Sequence, residues 1–279
     1  MARDTSSLSS CLTGLLLLLL VTCCGPADPA KKTTDWLAQW SVLVDGHSAG
    51  AINSAWSNGK TGADREWLLV GGTATSAVIF ELRGENWKRH DLPNASMLWW
   101  VHGDSSGRRV AVGDRGQLVH WKTQDSEPKA ISIAELATAT TALYGTWFQA
   151  GDPHLWLVGG TPSDGLQPGP LWKVPFAALD ADIAQQAKKF ALDGSQGVLS
   201  KIWSADGERL WAVGDDGKIW TAQDDKWSLE GTFGVGRMVG IHGRSADDIV
   251  AVGGSGEGVV VRRDSNGWKL VSGGSGSFV

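Results

Sequence analysis

Five copies of one short pattern, spaced by about the length of a propeller blade and apolar on both faces of the strand, predict an all-β fold: a β-propeller of five blades. The clearest copy is Leu210 to Trp220, LWAVGDDGKIW. The others are Trp67 to Gly72 (WLLVGG), Val110 to Trp121 (VAVGDRGQLVHW), Leu155 to Gly160 (LWLVGG) and Ile249 to Val261 (IVAVGGSGEGVVV). Aligning the glycine after the shared valine gives Gly71, Gly113, Gly159, Gly214 and Gly253, with spacings of 42, 46, 55 and 39 residues. A degenerate blade without the motif would raise the number to six or seven.

Each copy explains one strand and the turn behind it. Leu210 and Ala212 point one way and Trp211 and Val213 the other, so the strand is covered on both sides, as the inner strands of a blade are. Asp215-Asp216-Gly217, Asp114-Arg115-Gly116 and Ser255-Gly256-Glu257-Gly258 then reverse the chain, with glycines for positive φ and short polar side chains for nearby amides. Second strands are predicted at 218–222, 117–121 and 259–262, and outer strands at 86–90, 226–230 and 267–271. Large rings recur 11 to 15 residues before each glycine, at Trp56, His102, Trp147, Trp203 and His242, and are expected to fill the seams between blades.

This arrangement, W/H-G/S followed by AVG-D-x-G, a strand and a short G/N-x-W stretch, resembles the repeats of bacterial propeller lipoproteins of the kind found in myxobacteria. It is also similar to photosystem II assembly-factor-like and sialidase-type (BNR) propellers. The resemblance covers about residues 36 to 274. It implies the fold and says little about activity, because propellers carry enzymes, scaffolds and ligand binders alike.

Residues 1–24 read as a signal peptide. Leu12 to Val21 form a mostly leucine core too short for a transmembrane helix, ending at Thr22-Cys23-Cys24. The cysteines resemble a lipobox, with Cys24 as the expected lipid-attachment residue and Cys23 as the alternative. The 3 cysteines of the chain all lie in this segment, which leaves no disulfide framework or cysteine metal site in the globule. Residues 25–34, GPADPAKKTT, read as a tether, and 35–279 as a single propeller domain beginning near Trp36. The stretch WLAQWSVLVDG resembles an outer strand. Both termini therefore offer a strand that could close the ring, one more than a five-bladed ring needs.

The third repeat carries an insertion. After a Pro/Gly-rich loop and LWKVP, the segment 176–190 has apolar residues at Phe176, Leu179, Ile183, Ala187 and Phe190, which predicts a short amphipathic helix. It is read either as decoration of a binding face or as a cover for a blade edge.

No catalytic constellation emerges. Tyr144 is the one tyrosine, and it precedes a repeat packing position, which argues against a sialidase-like site. The 6 histidines form no spaced metal motif, and His102 and His242 are related by the repeat. Asp215-Asp216 and Asp247-Asp248 lack a calcium-loop ligand series, and Ser255 lies in a glycine-rich turn rather than a nucleophile elbow. A net charge of −5 with scattered basic residues argues against nucleic acid. The expected function is that of a lipid-anchored cell-envelope module, noncatalytic and without cofactor or metal, that binds or scaffolds envelope proteins. The mouth loops 59–66, 103–108 and 204–209 are its first candidates for contact. The alternative is a carbohydrate-binding or glycan-active propeller, in which Trp99-Trp100 would leave one indole free to stack on a sugar.

Overall fold

The computed structural model describes residues 50–274, apart from 122–125, 138–139, 163–168, 193–196, 235 and 256–257. The signal peptide, Cys23 and Cys24, the tether and the strand-like stretch from Trp36 lie outside the described residues.

Five four-stranded antiparallel sheets follow one another along the chain, each built from consecutive strands. Blade 1 contains β1 (Ala51–Ser57), β2 (Glu66–Thr73), β3 (Ser76–Arg83) and β4 (Asn86–Leu92). Blade 2 contains β5 (Leu98–Gly103), β6 (Arg109–Gly113), β7 (Gln117–Trp121) and β8 (Lys129–Ser132). Blade 3 contains β9 (Ala142–Trp147), β10 (His154–Gly160), β11 (Leu171–Pro175) and β12 (Lys188–Lys189). Blade 4 contains β13 (Leu199–Ser204), β14 (Arg209–Gly214), β15 (Lys218–Gln223) and β16 (Lys226–Thr232). Blade 5 contains β17 (Met238–Ser245), β18 (Asp248–Gly253), β19 (Gly258–Asp264) and β20 (Gly267–Gly274). The five-bladed all-β architecture is the one that the repeat predicts. Among the described residues, each blade takes its outer strand from its own segment, with β4 in blade 1 and β20 in blade 5.

Packing between blades follows one rule set by the strand period of two. The residues one and three before the anchor glycine face the following blade, and those two and four before it face the preceding one. Trp156 and Val158 of blade 3 thus meet Leu210 and Ala212 of blade 4, and Trp211 and Val213 meet Ile249 and Ala251 of blade 5, all in one core. Val110 and Val112 meet Leu155 and Leu157 in the same way. The recurring rings seal the inner ends of the seams. Trp56 lies against Gly103, where a side chain would collide with the indole, and His102 packs edge-on to Phe148 at 4.8 Å. Trp203 meets His242 at 5.8 Å and lies against Gly243.

The inserted helix is shorter than its apolar spacing predicts. Phe176–Asp180 is a 3-10 turn, and the helix α1 runs only over Ile183–Gln186, capped by the Asp182 carboxylate, which accepts from the Gln185 amide. The chain extends again at Ala187, with ψ 132, because Lys188 and Lys189 supply the outer strand of blade 3 opposite Lys173 and Trp172. Phe176 packs at 5.1 Å on Phe148, and Lys129 of blade 2 binds Asp180 at 2.7 Å. The insertion therefore covers the outer edge of the seam between blades 2 and 3.

Candidate functional site

Every inner strand carries a β-bulge at the same place. The pairing register skips Asn53, Trp99, Tyr144, Ser200 and Val239, one in each blade. The residue before each bulge stands opposite the anchor glycine, as Leu98 does to Gly113 and Leu199 to Gly214. This close approach explains the glycine of the repeat. A Cβ on Gly71, Gly113, Gly159, Gly214 or Gly253 would lie between 1.8 and 2.3 Å from a carbonyl oxygen at the start of the inner strand. In blades 2 and 4 that oxygen also accepts from the residue after the glycine: the amide of Asp114 donates to Met97 O and that of Asp215 to Val198 O, both at 2.9 Å. The turn behind the glycine takes the predicted positive φ at Gly116 and Gly217, and the residues before them, Arg115 and Asp216, share the left-handed backbone.

Bulges re-aim side chains and recur beside functional sites. Here they place five different side chains at one level at the start of the inner strands. Asn53 Nδ2 donates to Leu98 O at 2.8 Å, tying blade 1 to blade 2. Trp99 Nε1 donates to Asp114 Oδ1 at 2.6 Å, and its ring lies 5.9 Å from that of Tyr144. Burial raises the Tyr144 phenol above its ordinary range against the opposing charge of Arg237, while Asp114 and Asp215 push in the same direction as burial. Residues from blades 2 to 5 thus converge on one mouth. Arg237 Nε binds Asp215 Oδ1 at 2.6 Å, and Asp215 Oδ2 accepts from the Val198 amide at 2.7 Å. Val239 is the most open of the bulged residues, with 52% of its surface exposed.

Lys201, which the sequence reading did not single out, runs across this region. From blade 4 its Nζ donates to Tyr144 O of blade 3 at 2.6 Å and stands 4.2 Å over the ring of Trp100 in blade 2. Gly145 makes room, since a Cβ there would come within 3.2 Å of the Lys201 Cα. Desolvation lowers the ammonium pKa to about 7. Only the shared repeat position of Trp100, Gly145 and Lys201 could have flagged the trio in sequence.

The loops expected at a mouth, 59–66, 103–108 and 204–209, join inner to second strands and so share the opposite mouth. The second of them is pinned to blade 3. Asp104 Oδ1 accepts from the Ser106 and Arg108 amides, while Arg108 donates to Asp152 O at 2.7 Å and Gln149 O at 2.6 Å and lies 4.1 Å over Phe176. His102 Nε2 donates to Phe148 O at 2.9 Å, and burial holds its pKa down at about 4. His242 touches Trp203 and is otherwise exposed. Asp247 binds Arg263 at 3.0 Å and Asp248 binds Arg262 at 3.1 Å, so both carboxylates serve ion pairs. Ser255 lies in the turn between β18 and β19. Among the described residues, no three His, Cys, Asp or Glu side chains gather at a common point. Two grooves, of about 290 and 330 Å³, lie between blades 1 and 2 and between blades 2 and 3, and none of the bulged residues lines either.

Comparison with known proteins supports the architecture and goes no further. No protein-family profile matches the sequence. No curated protein matches it significantly either. Among solved structures, the WD40 β-propeller domain of Doa1 superposes with a TM-score of 0.54 at 10% identity, covering 84% of this chain and 71% of that one. The chain has the fold of a β-propeller.

Proposed function

We propose that this chain is a noncatalytic protein-binding module that takes its partner at the mouth carrying the five bulges. The observation behind this reading is the contrast between equivalent positions. The residue before the anchor glycine is valine in all five blades, at Val70, Val112, Val158, Val213 and Val252. The bulged residues, one step away in the pairing, are Asn53, Trp99, Tyr144, Ser200 and Val239. The framework repeats where blades pack and diverges where the bulges face the mouth, as expected of a rigid scaffold presenting a specific surface. Aromatic rings, the Arg237–Asp215 pair and the exposed Val239 suit a partner that inserts an apolar side chain and closes polar contacts around it.

The lipid on Cys24 belongs to the same proposal, on the strength of the leucine-rich leader and the paired cysteines. It would hold the module at the cell envelope, where assembly of envelope protein complexes is the natural task. Carbohydrate binding or hydrolysis is the weaker reading, because Trp99 and Trp100 are engaged with Asp114 and Lys201.

Affinity purification of the tagged protein, expressed from its own promoter in detergent-solubilised envelopes, tests both parts. The wild type should recover a reproducible set of proteins. Val239→Asp and Tyr144→Ala should lose them while keeping the wild-type circular dichroism, and Cys23→Ser/Cys24→Ser should lose them by mislocalisation. Partners retained through substitutions at all five bulges would sink the proposed surface.

A further inference from the structure

Four of the five possible blade seams are sealed alike, and the fifth is not. Three residues before the anchor glycine, Leu68, Val110, Trp156 and Trp211 are 0 to 2% exposed against the following blade, whereas Val250 of blade 5 is 39% exposed. One residue before it, Val70, Val112, Val158 and Val213 are fully buried, while Val252 is half-buried. The complementary side shows the same break. Trp67 and Leu69 of blade 1 are half-buried, although Arg109, Leu155, Leu210 and Ile249, and Ala111, Leu157, Ala212 and Ala251, are buried at the equivalent places. The ring series ends here as well, since His242 stands exposed where Trp56, His102 and Trp203 pack on the next blade. Val78 and Phe80, on the same side of blade 1, form a small cluster with Ile52, Leu69 and Trp87, separate from the other cores. Two apolar sheet faces, each built for a neighbour, thus stand without the seal that the other blades have.

We infer that residues 36–44 of this same chain cover the seam between blade 5 and blade 1. Three observations select that occupant. All five sheets already have four strands from their own consecutive segments, so the outer-strand-like stretch WLAQWSVLV has no place left in a described blade. The segment stops just short of Ala51, where β1 begins on the blade 1 side of the seam, and the few intervening residues span roughly 20 Å when extended. Its side chains, with Trp36, Leu37, Trp40, Val42, Leu43 and Val44, match the apolar character of Val250, Val252, Trp67 and Leu69. Covering them removes the exposed face that would otherwise recruit a second molecule.

Cysteine accessibility tests this in the full chain, in a background with Cys11, Cys23 and Cys24 changed to Ser. Val250→Cys and Leu229→Cys are compared for their rate of reaction with a maleimide, Leu229 being an exposed residue of blade 4 at 48%. The expected result is at least a tenfold slower rate at Val250→Cys, unchanged on dilution, that rises close to the Leu229→Cys rate when Trp36→Ser and Trp40→Ser are added. Equal rates without the tryptophan changes overturn the inference. Protection lost on dilution also overturns it and assigns the seam to a second copy, and protection that survives the tryptophan changes assigns it to some other cover. Should the tryptophan variant lose its near-ultraviolet circular dichroism, disulfide formation decides. Leu37→Cys or Val42→Cys should form an intramolecular disulfide with Val250→Cys and neither should with Leu229→Cys; no cross-link to Val250→Cys rejects the proposal.

Discussion

Lys201 in blade 4 places its ammonium 4.2 Å over the indole of Trp100 in blade 2, passing the Gly145 backbone of blade 3. One long side chain therefore links three blades through a cation–π contact and a carbonyl bond. Its consequence is a pH dependence. Desolvation lowers the Lys201 pKa to about 7, while the unfolded chain titrates near 10.4. Between those values the unfolded state binds the extra proton, so stability rises with pH from 7 to 10. Urea unfolding at pH 6.5 and 9.5 should show this gain in the wild type, and a Lys201→Met variant should lack it.

The anchor glycine is a packing requirement of the bulge. At Gly214 a methyl group would lie 2.1 Å from Val198 O, which cannot retreat because it also accepts from the Asp215 amide. Gly214→Ala should cost roughly 3 kcal/mol or more. Gly151→Ala meets nothing within 4 Å and pays only for its positive φ, of order 1 kcal/mol. Chemical denaturation of the two variants separates the effects.

Between blades 1 and 2, fully buried Arg109 forms an ion pair with Glu66 at a place where the later seams use Leu155, Leu210 and Ile249. Removing one partner strands a buried charge. Glu66→Ala should destabilise by about 3–5 kcal/mol, while Glu66→Leu combined with Arg109→Leu should come much closer to wild type. A double-mutant cycle in denaturant measures the coupling.

Glu230 joins blades 4 and 5. Its carboxylate accepts from Trp211 at 2.7 Å, Trp268 at 3.0 Å, and Arg209 and Arg263 at 3.1 Å. Burial alone would raise its pKa, but the hydrogen bonds from Trp268, Trp211 and Arg263 win and hold it below the ordinary value. Such a depressed carboxylate stabilises above its unfolded pKa, near 4.3, and loses that contribution as pH falls through the folded value. Glu230→Gln should cost about 1–3 kcal/mol at pH 7 and progressively less as pH falls below about 4, read from thermal unfolding across the acid range.

Much of the architecture is legible in the residues because it is written locally. A strand apolar on both faces, a valine before a glycine and a D-x-G turn are short-range signals, and repeating them five times states the blade number. The inserted segment was harder to read. Its spacing of three and four is helical, yet the tertiary need for an outer strand opposite Trp172 and Lys173 leaves α1 only Ile183–Gln186. The candidate mouth was missed because the sequence shows Trp99 and Trp100 as an indole pair but not Asp114 or Lys201 as their partners, the latter 101 residues from Trp100.

By itself the sequence determined the all-β repeat, its five blades and the alternation that buries both faces of the inner strands. Only the tertiary structure decided what the anchor glycine is for, which side chains meet across the blades and which seam lacks its seal. The physical reason is range: strand period and turn chemistry act between neighbours in the chain, whereas a bulge, a buried ammonium and the fit of the last blade to the first depend on surfaces brought together from distant parts of it.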